Sequence, residues 1–229
     1  MSHRPHLPGK RNLAKPHRVG RQRPVTQRRD QCGGDREIGV FAMETEGLTE
    51  VPNPSALFLT HRGEPVSGTS VFPAIEGSRP VLVEIQALTV RLATGATPRR
   101  AAVGWDSGRL AMILAVLEAR CGMSFATAEV YLNVAGGYRL TDPGADLAVA
   151  AALVSAMSER PVPSECVVLG EIALSGEIRA VAHAGLRLKE AAKLGFESAW
   201  APKGIAGGDG LRLAEFTNLR QLVDQILGR

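Results

Sequence analysis

Aromatic residues are scarce in this sequence, at 4% of 229 residues, so any core must be aliphatic and rich in alanine. Cysteine is almost missing as well. Cys32, Cys121 and Cys166 lie far apart and form neither a zinc-ligand spacing nor an even disulfide set, which fits reduced thiols in a cytosolic protein. No run of about 18 apolar residues occurs, which excludes a membrane-spanning helix. The basic N-terminus is not followed by an apolar stretch, which argues against a secretory signal. Two familiar chemistries are also absent. The chain contains no G-x-x-x-x-G-K-[ST] phosphate loop and no G-x-S-x-G nucleophile elbow. Beyond residue 36 the histidines are His61 and His183, and neither has a second ligand four residues on, so metal catalysis has little support.

What is present begins with a charge asymmetry. Residues 1–36 hold ten Lys and Arg against Asp30 and Asp35, a formal +8, which leaves the other 193 residues at −4. Such an arm, poor in aliphatic periodicity and containing several prolines, is expected to be disordered. It either contacts nucleic acid through phosphates or is a solvated tail. At 45% apolar residues the remainder can bury a core.

Periodicity sets out an order of elements. A short hairpin is expected over 37–44 and 48–51, followed by a helix over 56–60 capped by Ser55. Strands over 69–76 and 81–92 are joined by a turn at 77–80. Leu110, Ile113, Leu114 and Leu117 stripe a helix over 106–121, which Gly122 ends. A strand over 129–134 leads to a helix over 143–158, with Asp142 as N-cap and Pro143 in the first turn. Strands over 166–172 and 177–181 flank Ser175-Gly176 as a second hairpin. A helix over 184–194, strands over 198–201 and 211–215 and a helix over 219–227 complete an α+β domain with a mixed sheet.

Within 143–158, the residues Gly144, Ala145, Ala148, Ala150, Ala151 and Ala152 let another backbone approach closely. A Pro-Gly turn opening a helix offers free amides to an oxyanion. From composition alone, a thin helix in a tight core is the preferred reading.

The segments E-V-Y-L-N-V-A-G-G, T-D-P-G-A-D-L-A-V-A-A-A-L-V-S, V-V-L-G-E-I-A-L-S-G-E-I-R-A-V and A-G-L-R-L-K-E-A-A resemble the proteolytic domain of Lon protease. Further motifs narrow this: E-I-G-V-F, V-P-N-P-S-A-L-F-L, G-T-S-V-F-P-A-I-E-G-S-R-P, L-V-E-I-Q-A-L and G-W-D-S-G-R-L-A-M-I-L-A-V-L-E. Together, over 37–203, they resemble the bacterial RadA (Sms) family, whose members join a RecA-like ATPase to a Lon-like C-terminal domain. The resemblance implies a Lon-like fold, of the kind also found in ribosomal protein S5 domain 2, over 67–229. Residues 37–66 would be the end of the ATPase core and a linker, and 1–36 a segment outside the family. Aligned with the Lon Ser–Lys dyad, Gly144 stands where the serine belongs and Arg187 where the lysine belongs. Glycine carries no nucleophile, and arginine stays protonated, so it cannot act as the base. Ser155, about 16 Å along the helix, and Lys189, roughly 200° around its own helix, do not replace them.

The resemblance further implies a hexameric ring that binds single-stranded or branched DNA during branch migration, with a recombinase as a possible partner and no membrane. No catalytic residue and no cofactor is expected in this chain. ATP, magnesium and zinc are implied for full-length relatives, whose zinc element and Walker A have no counterpart here. Where the family has K-N-R-F-G, this sequence reads Arg29-Asp30-Gln31-Cys32-Gly33, so the chain is expected to be a truncated relative. Candidate phosphate contacts are Arg79, Arg99, Arg100, Arg109, Arg139, Arg179 and Arg187, with Arg109 and Arg187 ranked first. Two alternatives from other classes remain at this stage. One is a Lon-like peptidase with a non-standard nucleophile; the other is a basic nucleic-acid-binding arm on an inert body.

Overall fold

The computed structural model describes residues 41–44, 47–50, 65–77, 79–93, 97–206 and 210–229. All lie in one compact unit, Asp35–Arg229. The architecture is α+β. Among the described residues, a short antiparallel hairpin, β1 (Phe41–Glu44) and β2 (Gly47–Glu50), comes first. The body is a seven-stranded mixed sheet built from β3 (Thr69–Glu76), β4 (Arg79–Arg91), β5 (Arg100–Val103), β6 (Ala128–Val134), β7 (Cys166–Val168), β10 (Ser198–Pro202) and β11 (Arg212–Phe216). Its spatial order is β11-β10-β7-β3-β4-β6-β5. The β3–β4 and β4–β6 pairs are antiparallel, and the other four pairings are parallel. A separate two-residue ladder joins β8 (Glu171–Ile172) to β9 (Ile178–Arg179).

Among the described residues, four helices complete the unit: α1 (Ser107–Cys121), α2 (Asp146–Ser158), α3 (Ala184–Lys193) and α4 (Leu219–Leu227). Helix α1 starts where the Asp106 side chain accepts from the Arg109 amide, and it ends at Gly122, whose φ of 70° is the left-handed conformation that glycine adopts without strain. Helix α4 begins with a capping box formed by Asn218 and Gln221. Helix α2 is different in kind. Every residue from Asp146 to Ser155 is buried, so it is a central helix, apolar on all sides, rather than an amphipathic surface one. It packs on β3 and β4, where Ser70 donates to the Ala148 carbonyl, and α3 packs on the same two strands. At the far end of α2, Ser155 accepts from the Gly68 amide at 2.9 Å and donates to the Arg160 carbonyl at 2.6 Å. The hydroxyl is therefore occupied in tying the helix end to the start of β3.

Most expected elements are found within a residue or two, and the differences are informative. Strand β5 was not expected: four residues containing two alanines, set between Pro98 and Gly104, carry little strand signal. The turn between β3 and β4 is shorter than 77–80, because Arg79 already pairs with Glu76 and Pro80 with Ile75. The expected helix over 143–158 opens as a 3-10 turn, Pro143–Ala145, before α2 proper. The run over 166–172 is not one strand. It divides at Gly170 (φ 157°), sending β7 into the main sheet and β8 into the small ladder. The expected helix over 56–60 lies outside the described residues.

At Gly170 an added Cβ would come within 2.9 Å of Ile178 and 3.1 Å of Leu147. Gly170→Ala is expected to cost about 1–3 kcal/mol, from strain at this φ and overpacking against α2. Urea unfolding would measure it as a lower midpoint at unchanged slope.

Candidate functional site

Two aspartates four residues apart at the start of α2 organise this end of the molecule. Asp142 lies in the loop before the 3-10 turn. Its Oδ1 accepts from the Gly144 amide at 2.8 Å, capping that turn, and its Oδ2 accepts from Arg187 Nη2 at 2.5 Å. Asp146 is the first residue of α2 and is fully buried. Its two oxygens take Arg109 Nε and Nη2 at 2.5 and 2.6 Å, and Oδ2 also accepts from the Ile172 amide at 3.1 Å. The pair with Arg109 is bidentate, the geometry that best uses a guanidinium fork. Burial pushes the Asp146 carboxyl above the ordinary carboxylate range, with the Arg109 and Ile172 hydrogen bonds pulling back against it. The same bond raises the Arg109 pKa further above its ordinary value.

The two positions aligned with the protease dyad are thus linked through one carboxylate. Gly144 is buried, and a Cβ there would meet Val181 Cγ1 at 2.9 Å and Asp142 Oδ1 at 3.1 Å, so the space for a nucleophile is taken. The Arg187 side chain is 4% exposed. Its Nε donates to the Ala182 carbonyl, Nη1 to the Pro73 carbonyl and Nη2 to Asp142, while the guanidinium lies 5.3 Å from the centre of the Phe72 ring. Such a group is a buried strut. Arg187 was ranked as a phosphate contact from sequence, and that assignment is corrected here: all three of its nitrogens are spent on protein acceptors.

The other candidate arginines are dispersed. Arg109 and Arg179 come together on the wall of one cleft of about 460 Å³, together with Met112, Glu171, Leu174 and Ser175. The Arg109 side chain is 27% exposed, and among the described residues its Nη1 has no hydrogen-bond partner. Arg179 is exposed, with only a 3.9 Å approach to Glu177. Arg100 opens edge strand β5 with Arg99 just before it, Arg79 opens β4, and Arg139 is exposed in the loop after β6. Ser155 and Lys189 stay away from the dyad positions, the first buried in its own bracket and the second exposed. Cys166 is no nucleophile either, since burial pushes its thiol up to about 12. Among the described residues, no three His, Cys, Asp or Glu side chains group to hold a metal ion.

Sequence reasoning read Asp142 only as a cap and passed over Asp146, Val181 and Glu171. An acid in the first turn of an otherwise apolar helix was the available signal. A buried charge at that place requires a cation from elsewhere in the fold.

Removing Arg187 leaves the half-buried Asp142 carboxylate and the Ala182 and Pro73 carbonyls without their donor, so Arg187→Met is expected to lower unfolding free energy by about 2–4 kcal/mol. Gly144→Ser is expected to cost about 1–3 kcal/mol by pressing on Val181. Chemical denaturation measures both. A loss below about 1 kcal/mol for Arg187→Met would remove the strut assignment.

Comparison with known proteins adds a lineage to this geometry. A sequence-family model described as subunit ChlI of Mg-chelatase matches residues 100–204. The DNA repair protein RadA of Brucella abortus (strain 2308) is 56% identical over 201 residues, 86% of this chain and 43% of that protein. RadA of Rickettsia felis is 58% identical over 168 residues, 73% of this chain and 37% of its own length. RadA of Pseudomonas aeruginosa is 44% identical over 210 residues, 90% of this chain and 46% of its own length. At that coverage the last match must reach into residues 1–36. The chain spans less than half the length of the curated relatives it matches. With more than half the residues identical to some of these proteins across most of the body, the chain belongs to the RadA family of DNA repair proteins.

Proposed function

We propose that this chain is the non-catalytic, Lon-like portion of a RadA-type protein. In this reading it works in the cytoplasm in DNA repair and recombination, assembles into a ring and holds DNA while recombination intermediates are processed by branch migration. Residues 67–229 are the Lon-like domain of this proposal, with 37–66 a connecting segment and 1–36 a basic extension. Any ATP, magnesium or zinc chemistry belongs to parts of the longer relatives that this chain does not span, and a recombinase is the partner such a ring would serve. The observation that supports it best is the state of the dyad positions. A peptidase needs a hydroxyl at 144 and a neutral amine at 187, and the fold has pressed a glycine against Val181 and locked a guanidinium under three acceptors.

DNA contact is assigned to the cleft that Arg109 and Arg179 share. Arg109 is already half-committed to Asp146, and truncating it would leave that buried carboxylate unpaired. Arg179, exposed and almost unpaired, is therefore the cleaner probe. Arg79, Arg100 and Arg139 are exposed positions that a longer DNA would reach in this reading.

Fluorescence anisotropy with single-stranded and branched oligonucleotides, over a series of salt concentrations, tests the assignment. Arg179→Ala is expected to weaken binding to all sequences alike and to flatten the log–log salt dependence by about one unit. An unchanged slope removes Arg179 from the interface. Sustained casein cleavage by the purified chain would overturn the non-catalytic reading itself.

A further inference from the structure

The cleft between α1 and the β8–β9 ladder carries more than phosphate-binding groups. From α1 come Arg109 and Met112, which are three residues apart and so share one face of the helix. From the ladder come Glu171 and Arg179, direct cross-strand partners that project from the same face. The next pair of the ladder, Ile172 and Ile178, alternates to the other face and is buried. Leu174 stands at the rim, in the turn that closes the ladder. The Gly176 amide donates to the Ala173 carbonyl at 2.8 Å and the Ala173 amide to the Glu177 carbonyl at 3.0 Å. Arg120 Nε donates to the Leu174 carbonyl at 3.4 Å, so the backbone of the turn is tied down from both sides. The Leu174 side chain is nevertheless 68% exposed, the highest value for a large apolar residue among the described ones.

These groups match different parts of one nucleotide. The free Nη1 of Arg109 and the exposed guanidinium of Arg179 suit phosphates. Met112 and Leu174 offer an apolar wall to the face of a base. Among the described residues the Glu171 carboxylate has neither an ion pair nor a hydrogen bond, so it is an acceptor without a donor. A bare phosphate would be repelled by it, whereas the exocyclic amine of cytosine, adenine or guanine supplies the missing donor. The cleft, at about 460 Å³, falls within the size range of small-ligand sites. Bases stacked in a duplex have both faces covered and cannot enter it.

We propose that this cleft seats one unpaired base of a DNA single strand. Leu174 and Met112 lie against the base, Glu171 accepts from its exocyclic amine, and Arg109 and Arg179 hold the flanking phosphates. The inference rests on the assignment of DNA contact to this cleft and adds a preference to it: unpaired strand over duplex, and amine-bearing bases over thymine, which has no exocyclic amine.

Fluorescence anisotropy of the full chain with oligo-dC, oligo-dT and a duplex of the same length, over a series of salt concentrations, tests this. The parent is expected to bind oligo-dC about fivefold more tightly than oligo-dT. Glu171→Gln is expected to erase that preference while tightening binding to both strands, because a negative charge leaves the neighbourhood of the phosphates. A damaged fold would weaken both instead. Leu174→Ser is expected to weaken single-strand binding about fivefold, with the salt slope and the duplex affinity unchanged. Equal affinity of the parent for oligo-dC and oligo-dT, a preference that survives Glu171→Gln, or a Leu174→Ser variant that binds single strands like the parent would each overturn the proposal. So would a change of mass for Leu174→Ser in sedimentation velocity, which would place that residue between copies of the chain. Displacement of the strand by deoxycytidine monophosphate at comparable concentration would overturn it too, since the ligand would then be a free nucleotide. The Arg179→Ala salt series keeps the two readings apart. A flattened slope without base preference removes the base from the cleft and leaves the DNA contact standing, whereas a parent that binds no DNA removes both.

Discussion

The start of α2 depends on two carboxylates, Asp142 and Asp146, each neutralised by an arginine from a different helix. A helix buried on every side can be placed only if its ends are fixed, because its apolar surface does not favour one orientation over another. Asp146 ties the first turn of α2 to α1 through Arg109 and to β8 through the Ile172 amide. Asp142 ties the preceding turn to α3 through Arg187, which in turn holds β3 by the Pro73 carbonyl. At the other end the Ser155 hydroxyl fixes α2 to the entry of β3. The aliphatic layers between these anchors supply most of the stabilisation, and the polar anchors determine which packing is adopted.

Buried ion pairs of this kind add little net stability over apolar residues of the same shape, yet losing one partner is costly. The distinction matters for the two arginines that seemed equivalent in the sequence. Arg187 has no solvent-facing group left, so its charge is internal to the fold. Arg109 keeps one nitrogen over a cleft that also presents Arg179, so its charge is partly directed outward. Both arginines pair with an acid at or just before the start of α2, and their burial differs.

Much of the fold could be read in advance because its signals are local. The stripe Leu110, Ile113, Leu114, Leu117 with Asp106 before it and Gly122 after it defines α1 without reference to anything distant. The same holds for the β3–β4 pair and for α4. What escaped was set by tertiary context. Strand β5 exists because β6 offers it an edge, since R-A-A-V has no strand character of its own. The division of the 166–172 run at Gly170 follows from the α2 side chains that crowd that glycine. At the site, the sequence could say that Gly144 and Arg187 lack dyad chemistry. It could not say that one aspartate joins them, or that Val181 fills the space a Cβ at 144 would need.

That joining makes the two positions poorly suited to a Ser–Lys dyad. A lysine at 187 carries one compact ammonium group, whereas the observed acceptors lie in three directions: the Ala182 carbonyl, the Pro73 carbonyl and Asp142. Arginine serves all three at once because its donors are fixed in a planar fork. An ammonium group would leave at least part of that set unsatisfied, and one held beside Asp142 would be kept protonated, the opposite of what a general base requires. A serine at 144 would at the same time press on Val181, so the hydroxyl and the amine could be accommodated only by moving α3 and the segment before it. The interactions that hold α2 in place are therefore the same ones that exclude the dyad, and packing and peptidase chemistry compete for one set of atoms.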